Sequence, residues 1–427
     1  MSLQNYFREH DAVLDPLGAR VAAIPLDPFI YNQKLVDEIN YFAKAYFQLV
    51  EFVTQNYDQF RDILRYEDNL DKLLLDCPDY PNNVVLARSD IFLSKKGIKM
   101  VETNCDSPGG NEESYHLEKI FATYFPNAIN GAKTEHRIDN ALEALMISYQ
   151  QQKQQKGLTD IKDKPRIALI EWEEDIKRIK GELDVFINEA RKRGYDCDLI
   201  TPQSIEFRNN EAYNDNRPID LIYRRIVLQS LPSHMPDGYD FARRLNDCKT
   251  AVVNPLSSKK GSSKQIMVLL TDEIFQDRFP DDLSESLDIV RKVIPKTKSL
   301  KFLGEQSEFL KEVQRNRTEY VLKEANSYSS MGVFIGADLT QDEWDFRMKQ
   351  SLGKDFVVQE KIDLPSMRIN MYDQRNHRQI SEDLIYNINP YIFLGKFAGF
   401  YFRASQDNLT SFKRGLKATV LPCFQQN

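Results

Sequence analysis

The sequence predicts a mixed α/β protein, and three observations support this. Residues 166–226 alternate a short apolar strand, an amphipathic helix and two further strands, which is typical of a parallel α/β unit. Two hairpin patterns, at 88–104 and 319–336, lie outside that unit. Residues 1–75 instead carry apolar side chains at helical spacing. We therefore expect an α/β (α+β) chain with more than one domain.

Length and composition indicate a globular protein with a sizeable core. The chain has 427 residues, of which 41% are hydrophobic and 28% charged. Its net charge of −7 argues against a nucleic-acid partner held by bulk electrostatics. No apolar run reaches the length of a membrane span, and the first residues lack a signal-peptide pattern, so we expect a cytoplasmic protein without a membrane partner. Five scattered cysteines without a CxxC predict neither a disulfide framework nor a zinc site.

The first hairpin carries a set of polar side chains that predicts a metal site. Helical patterns at 32–60 and 63–75 end before two prolines, and the hairpin follows. Because alternate strand residues share a face, Arg88 and Asp90 point the same way, and so do Glu102 and Asn104. Two carboxylates and an amide oxygen suit Mg²⁺ held together with substrate phosphates. The alternative is a surface hairpin with ordinary charges.

A glycine loop follows the hairpin and predicts an anion-binding segment. Residues 106–110 read Asp-Ser-Pro-Gly-Gly, and a helical pattern begins at Asn111. A glycine loop at a helix N-terminus brings main-chain N–H groups close to a ligand. Within the same motif Cys105 points away from Glu102 and Asn104, which favours a packing role over a nucleophilic one.

The parallel unit begins after a polar stretch. Residues 150–164 predict a solvated connection between domains, following a helix at 138–151. The unit suggests a Rossmann-like module, although no GxGxxG follows its first strand and dinucleotide binding is not supported. Arg224 and Arg225 end its third strand, where one of them could hold a carboxylate or phosphate. The alternative is a surface arginine paired with an acidic residue.

The second hairpin predicts a nucleotide-binding segment. Its first strand carries Lys323, a small-residue loop follows at 326–332, and no GKT or GKS is present. Such a hairpin can fold over a nucleotide while the lysine contacts phosphate. The alternative for Lys323 is an edge-strand lysine that discourages aggregation. A later apolar strand, at 356–362, could offer main-chain groups to an adenine edge.

Taken together, these motifs resemble the circularly permuted ATP-grasp ligases, the group that includes the synthetase domain of glutathionylspermidine synthase. The matching pieces, which span most of residues 84 to 424, are Arg88-x-Asp90, Glu102-Thr-Asn104-Cys-Asp106-Ser-Pro-Gly-Gly, Tyr223-Arg-Arg, Val253-Asn-Pro-Leu with the Ser-Lys helix after it, Val321-Leu-Lys323, Val358-Gln-Glu and Gly399-x-Tyr-x-Arg403. In unpermuted ATP-grasp enzymes the Glu-x-Asn pair follows the nucleotide lysine, whereas here it precedes Lys323, as permutation requires.

The resemblance implies a circularly permuted ATP-grasp fold with an inserted Rossmann-like pre-ATP-grasp module. The implied segments are an N-terminal helical part at 1–75, an ATP-grasp part with the Mg²⁺ and phosphate hairpin at 76–164, the Rossmann-like module at 165–256, and a nucleotide-binding part with C-terminal strands at 257–427.

The resemblance also implies a role for each matching residue. Asp90, Glu102 and Asn104 would bind one or two Mg²⁺, and Arg88 and Arg403 would be catalytic contacts to the transferred phosphate. The implied ATP contacts are Lys323, Ser329, Ser330, Gln359 and Glu360, with the two serines standing where many relatives have Gly-Gly. The implied substrate contacts are Asp106, Ser107, Gly109, Gly110, Arg224 and Arg225.

The implied activity is that of an ATP-dependent carboxylate–amine ligase that works through an acyl phosphate. Its partners would be a small-molecule acid and an amine, and the sequence makes no prediction of oligomeric state. Two alternatives stand beside it. One is a kinase on the same fold that lacks an amine acceptor, and the other is a non-catalytic ATP-binding protein.

Overall fold

The computed structural model describes residues 23–304, 307–327, 331–373, 376–408 and 418–426. Within these residues the strands form one seven-stranded sheet, two four-stranded sheets and two smaller sheets of two and three strands. No helix in these ranges is long and apolar enough to cross a membrane.

The helices that the structure describes are numbered here in chain order. They are α1 (Gln33–Gln55), α2 (Arg61–Leu64), α3 (Asp68–Asp76), α4 (Asn111–Tyr124), α5 (Pro126–Ile129), α6 (Arg137–Gln155), α7 (Glu173–Lys192), α8 (Leu231–His234), α9 (Gly238–Asp247), α10 (Gln265–Thr271), α11 (Ser284–Val293), α12 (Glu308–Arg315) and α13 (Gln341–Ser351). Short 3₁₀ turns lie at Tyr57–Phe60, Pro202–Ser204, Leu228–Ser230, Leu256–Gly261, Glu273–Arg278, Asp281–Leu283, Arg317–Glu319 and Gly336–Asp338.

The strands follow the same convention. They are β1 (Ile24–Pro25), β2 (Phe29–Tyr31), β3 (Leu86–Ser94), β4 (Gly97–Asn104), β5 (Ile167–Ile170), β6 (Cys197–Ile200), β7 (Glu206–Arg208), β8 (Glu211–Asn214), β9 (Arg217–Pro218), β10 (Leu221–Arg224), β11 (Ala251–Val253), β12 (Thr297–Ser299), β13 (Tyr320–Glu324), β14 (Val333–Ile335), β15 (Phe356–Glu360), β16 (Ser366–Asp373), β17 (Arg378–Phe393), β18 (Lys396–Ser405), β19 (Ala418–Leu421) and β20 (Cys423–Gln425).

The seven-stranded sheet holds the first hairpin. Its main path runs β1-β16-β17-β18-β19, and all of these neighbours are antiparallel. The long strand β17 pairs with β16 through its first half and with β3 through its second half. Strand β4 then pairs with β3. The predicted hairpin is thereby confirmed and is fixed to the sheet through β17.

The parallel α/β unit is also confirmed. Strands β11, β10, β5 and β6 lie side by side in that order, and each pair is parallel. All four residues of β5 are buried, as expected of a strand covered on both faces. Helix α7 precedes Gly194, whose φ of +84° suits the helix end that the sequence predicts there.

The second hairpin belongs to a separate antiparallel sheet, ordered β12-β15-β13-β14. Helices α12 and α13 cover it around a small core that includes Leu322, Trp344 and Val358. Helix α13 begins with a capping box in which Thr340 and Glu343 exchange hydrogen bonds. Strand β13 lies inside this sheet, so the alternative of an edge-strand lysine at Lys323 is wrong.

The N-terminal helical prediction holds from Gln33 onward, with a shorter first helix, whereas the short strands β1 and β2 precede it and residues 1–22 lie outside the described residues. Asn32 caps α1 by accepting a hydrogen bond from the Leu35 N–H at 3.0 Å. The helix ends at Gln55, and a 3₁₀ turn covers 57–60. Its buried face shares one core with residues of the seven-stranded sheet and of α10 and α11.

The predicted solvated connection at 150–164 is wrong for its first six residues, which continue α6 to Gln155. Gln152 is buried, and its side chain bonds both to the carbonyl and to the N–H of Val252 in the parallel sheet. The placement of domain boundaries stays a prediction.

Candidate functional site

The first hairpin brings its four polar side chains together as predicted. Arg88 stands opposite Asn104, and Asp90 stands opposite Glu102. Directly opposed residues of an antiparallel pair project to the same face. The hairpin therefore carries two carboxylates, one amide and one guanidinium side by side.

Asp90 is the buried centre of this set. Arg403, on β18, donates a 2.7 Å hydrogen bond to its Oδ2, and Arg88 Nε lies 3.7 Å from its Oδ1. Burial alone would raise the pKa of Asp90, but the two guanidinium groups outweigh it and hold the pKa below the usual value. The carboxyl group is therefore ionised at neutral pH.

A β-bulge beside Asp90 joins this hairpin to the second one. The pairing shifts from Asp90 opposite Glu102 to Ile91 opposite Met100, which leaves Val101 without an opposed residue. The Val101 carbonyl instead accepts a 3.1 Å hydrogen bond from Lys323 Nζ, 222 positions later in the chain. No residue pattern in β3 or β4 indicates the bulge.

Lys323 is almost fully buried and is held by a second partner, the side-chain oxygen of Gln359 at 2.6 Å. Burial lowers the pKa of Lys323 to about 8, although Glu102 and Asp90 act in the opposite direction. Gln359 in turn donates to Thr297 Oγ1 at 2.9 Å. Gln359 thus orients the lysine.

The main-chain groups at the end of β15, which the sequence predicts could bind an adenine edge, are largely paired within the protein. Strand β15 pairs with β12 on one side and β13 on the other. The N–H groups of Glu360 and Lys361 donate to the carbonyls of Lys296 and Glu319. The Glu360 side chain itself is exposed at the pocket.

A pocket separates the first hairpin from the second sheet. Its lining includes both charged and apolar side chains, which suits a ligand with a charged part and a flat apolar part. Its lining residues are Asp90, Phe92, Val101, Glu102, Val321, Lys323, Val333, Ile335, Gln359, Glu360, Lys361, Ile362, Leu364, Asn387 and Asn408.

Lys264 is a site residue that the sequence analysis missed. It lies just before α10, and its Nζ is 3.7 Å from Glu102 Oε2 and donates to the Ser327 carbonyl at 2.7 Å. It therefore connects the acidic hairpin to the loop of the second hairpin. The only sequence feature that pointed to Lys264 was its position at the start of the Ser-Lys helix.

The donor set fits a hard divalent cation. Among the described residues, none donates a hydrogen bond to the buried Oδ1 of Asp90. The Glu102 side chain is 29% exposed, so its carboxylate is open to a ligand. Together with Asn104 they supply oxygen donors of the kind that Mg²⁺ prefers. The described ranges contain no cluster of three or more His, Cys, Asp or Glu side chains placed to bind a metal.

The glycine loop is held tightly at the edge of this site. The Gly109 carbonyl accepts hydrogen bonds from Arg88 at 2.6 Å and from Tyr391 at 2.8 Å. Gly110 has a φ of +85° and lies against the Tyr401 ring, where a Cβ atom would come within 2.7 Å. The loop needs glycine at Gly110 for both reasons.

Asp106 and Ser107, both predicted to face substrate, make internal contacts. Asp106 forms a buried ion pair with Arg224 at 2.6 Å and accepts the Leu228 N–H at 3.1 Å. Ser107 Oγ donates to the carbonyl of Arg225. A direct substrate contact by either residue stays a prediction.

Arg224, the last residue of β10, and Arg225, the residue after it, are buried, so the alternative of a surface arginine is wrong for both. Arg225 pairs with Glu112 at 2.9 Å and with Glu182 at 3.0 Å. Glu182 also accepts the Gly110 N–H at 3.1 Å. Both arginines therefore hold the glycine loop against the parallel sheet.

Comparisons with known proteins identify the architecture. No family model and no curated protein sequence matches the chain. Among solved structures it is similar to a glutathione synthetase-like effector, GSS30, from Globodera pallida, with a TM-score of 0.66 at 13% identity. The match covers 100% of this chain and 98% of that chain. The chain shares its fold with this glutathione synthetase-like protein.

Two further similarities are too distant to add to this assignment. One is to a protein from Methylobacillus flagellatus KT described as a gamma-glutamylcysteine synthetase, with 14% identity, coverage of 87% and 83%, and a TM-score of 0.45. The other is to a RimK-domain ATP-grasp protein from Sphaerobacter thermophilus DSM 20745, with 16% identity, coverage of 59% and 95%, and a TM-score of 0.28.

The described residues place Asp90, Glu102, Lys323, Gln359 and Glu360 around one pocket. Ser329 and Ser330 lie outside the described residues. The packing role predicted for Cys105 agrees with its complete burial. The circular permutation stays a prediction.

Proposed function

We propose that the chain is an ATP-dependent carboxylate–amine ligase that works through an acyl phosphate. The observation that carries this proposal is the contact of Lys323 with the Val101 carbonyl, because it joins a nucleotide-type hairpin to the acidic hairpin in one pocket. The fold shared with a glutathione synthetase-like protein supports ligase chemistry.

ATP would lie in the pocket with its adenine against the apolar lining residues and its phosphates toward Lys323 and Lys264. Asp90, Glu102 and Asn104 would hold Mg²⁺, which when bound neutralises charge on the phosphates. Gln359 keeps the lysine aimed into the pocket through its 2.6 Å hydrogen bond. The fixed cations need little rearrangement when the phosphates arrive.

In the first step an oxygen of the substrate carboxylate attacks the γ-phosphorus. The bond from that phosphorus to the β,γ-bridging oxygen breaks, and ADP leaves with the electron pair. Arg88 and Arg403 stand at Asp90, next to the predicted phosphate position, where they offset the charge on the transferred group. No basic side chain is required, because a carboxylate is already a nucleophile.

In the second step the amine nitrogen attacks the acyl carbon and forms a tetrahedral intermediate. The bond between that carbon and the phosphate oxygen breaks, phosphate leaves with the electron pair, and the nitrogen loses its proton to solvent. The glycine loop, anchored by Arg88 and Tyr391, would position the acyl group.

The test is a screen of acid and amine pairs for Mg²⁺-dependent ADP and phosphate release. Asp90→Asn and Glu102→Ala should abolish release while circular dichroism stays native, and Glu285→Ala, on the exposed face of α11, should behave as wild type. Wild-type turnover in either site variant would contradict the assignment.

Product analysis separates the proposal from its alternatives. Mass spectrometry that finds an acyl phosphate as the final product, with no amide, would favour a kinase. Calorimetry that finds Mg·ATP binding without turnover on any pair would favour a non-catalytic protein. An absence of Mg·ATP binding would contradict all three.

A further inference from the structure

Gln229 bonds to the second hairpin and to Lys259, a lysine that lies beside the glycine loop. It belongs to the 3₁₀ turn that follows β10. Its Nε2 donates to the Asn326 carbonyl at 2.7 Å, and its Oε1 accepts from Lys259 Nζ at 2.8 Å. A carbonyl only accepts and an ammonium only donates, so these partners fix the orientation of the amide.

Lys259 extends this chain of contacts to the glycine loop. Its side chain is 5% exposed, and its Nζ lies 3.8 Å from Asp106 Oδ2. Burial lowers the pKa of Lys259, although Asp106 acts in the opposite direction. The buried ammonium of Lys259 is therefore stabilised by few partners. A movement of Asp106 or Gln229 changes the contacts that stabilise this charge.

Asn326 sits at the start of the loop of the second hairpin. The next residue, Ser327, offers its carbonyl to Lys264, whose Nζ faces Glu102 at 3.7 Å. The same short segment is thus tied to the acidic hairpin by Lys264 and to the glycine loop by Gln229 and Lys259. Phosphates entering the pocket would draw Lys264 away from the Ser327 carbonyl and shift this segment.

We propose that Gln229 is a positioning residue that couples nucleotide binding at the second hairpin to the geometry of residues 106–110. This inference rests on the proposed function. Displacement of the Asn326 carbonyl moves the Gln229 amide, and Lys259 passes the change to Asp106. Since binding coupling is reciprocal, an acid bound at the glycine loop changes nucleotide affinity by the same factor as the nucleotide changes acid affinity.

Amide hydrogen exchange with and without Mg·AMP-PNP tests the coupling without knowledge of the acid. In the wild type the nucleotide should slow exchange in both 320–327 and 105–110. Gln229→Glu keeps an acceptor for Lys259 but sets a carboxylate oxygen against the Asn326 carbonyl, and Gln229→Met removes both bonds at similar volume. In both variants, slowing should remain at 320–327 and be lost at 105–110.

Gln152→Met is the matched control, because Gln152 is also a buried glutamine bonded to a main-chain carbonyl, that of Val252. This variant should be less stable than the wild type, but the nucleotide should still slow amide exchange in both 320–327 and 105–110. The proposal would be overturned if the nucleotide still slowed amide exchange at 105–110 in both Gln229 variants. It would also be overturned if, in the wild type, the nucleotide slowed exchange only at 320–327. An absence of slowing at 320–327 in the wild type would instead contradict nucleotide binding itself, and the coupling with it.

Discussion

Arg403 donates a 2.7 Å hydrogen bond to Asp90 across 313 positions of sequence. The two residues lie on β18 and β3, which do not pair with each other but flank the same strand, β17. Their ion pair therefore crosses β17, and both side chains are at most 15% exposed. It fixes the charge state of the central carboxylate and links three strands at the site.

Arg403→Met should lower the free energy of unfolding by about 3 kcal/mol near neutral pH, because it leaves a buried carboxylate with one weaker cationic partner. The folded-state pKa of Asp90 is lowered, so its contribution to stability is present above the unfolded pKa and is lost as pH falls through the folded one. The difference between variant and wild type should therefore shrink below about pH 4.

Denaturant unfolding at pH 7 and at successively lower pH checks this. The control is Arg368→Met, since Arg368 and Asp383 form an ion pair with side chains 61% and 69% exposed. Its effect should stay below about 1 kcal/mol. Equal losses in the two variants would contradict the role assigned to Arg403.

Lys323→Met should change the pH dependence of stability in a defined direction. The pKa of Lys323 is lowered to about 8 in the folded chain, against about 10.4 when unfolded. Between these values the unfolded chain binds the extra proton, so the stability of the wild type rises with pH. The variant lacks this gain and should become less stable relative to the wild type between about pH 8 and pH 10.

Thermal unfolding of both proteins across that range measures the difference. Binding of Mg·AMP-PNP should be lost or much weakened in the variant at every pH. A stability difference that stays constant from pH 8 to pH 10 would show that Lys323 has an ordinary pKa.

Gly110→Ala should destabilise the chain more than Gly157→Ala does. Both glycines have positive φ, +85° and +68°, so an alanine at either costs about 1 kcal/mol of backbone strain. At Gly157 a Cβ atom meets nothing within 4 Å, whereas at Gly110 it would come within 2.7 Å of the Tyr401 ring. The Gly110 variant should therefore lose about a further 1–3 kcal/mol.

Denaturant unfolding of the two variants under the same conditions measures the loss of unfolding free energy that each substitution causes. Similar losses would mean that the Tyr401 ring moves aside without cost. ADP formation, once a substrate pair is known, should fall only in the Gly110 variant, because only that glycine belongs to the loop beside Arg88.

Local patterns in the sequence predict the elements of the site well. The turn and the strand alternation predict the hairpin and place Arg88 with Asp90 and Glu102 with Asn104. The bulge that sets Asp90 opposite Glu102 instead of Val101 is not predicted by the local pattern. Helix α4 begins at Asn111 after the glycine loop, where the pattern predicts it. Such features depend on neighbours a few residues away, which is why a single sequence suffices.

Contacts between residues far apart in the sequence cannot be predicted from local sequence patterns. The burial of Arg224 and Arg225 depends on Asp106, Glu112 and Glu182, which approach only in the folded chain. The polar residues after Gln150 suggest a linker, but glutamine is a good helix former and Gln152 has a buried main-chain partner. Lys264 resembles any lysine at a helix start until Glu102 is beside it.

The pairing of β3 with β17 bears on how the chain is made. Arg88 stands opposite Tyr391, about 300 residues further along, so during synthesis the first hairpin leaves the ribosome long before its neighbouring strand exists. Until then one edge of β3, rich in apolar residues, has unpaired main-chain groups, and such an edge invites aggregation. Shielding of the nascent hairpin is therefore a requirement of this topology, and truncations before β17 should accumulate as insoluble protein.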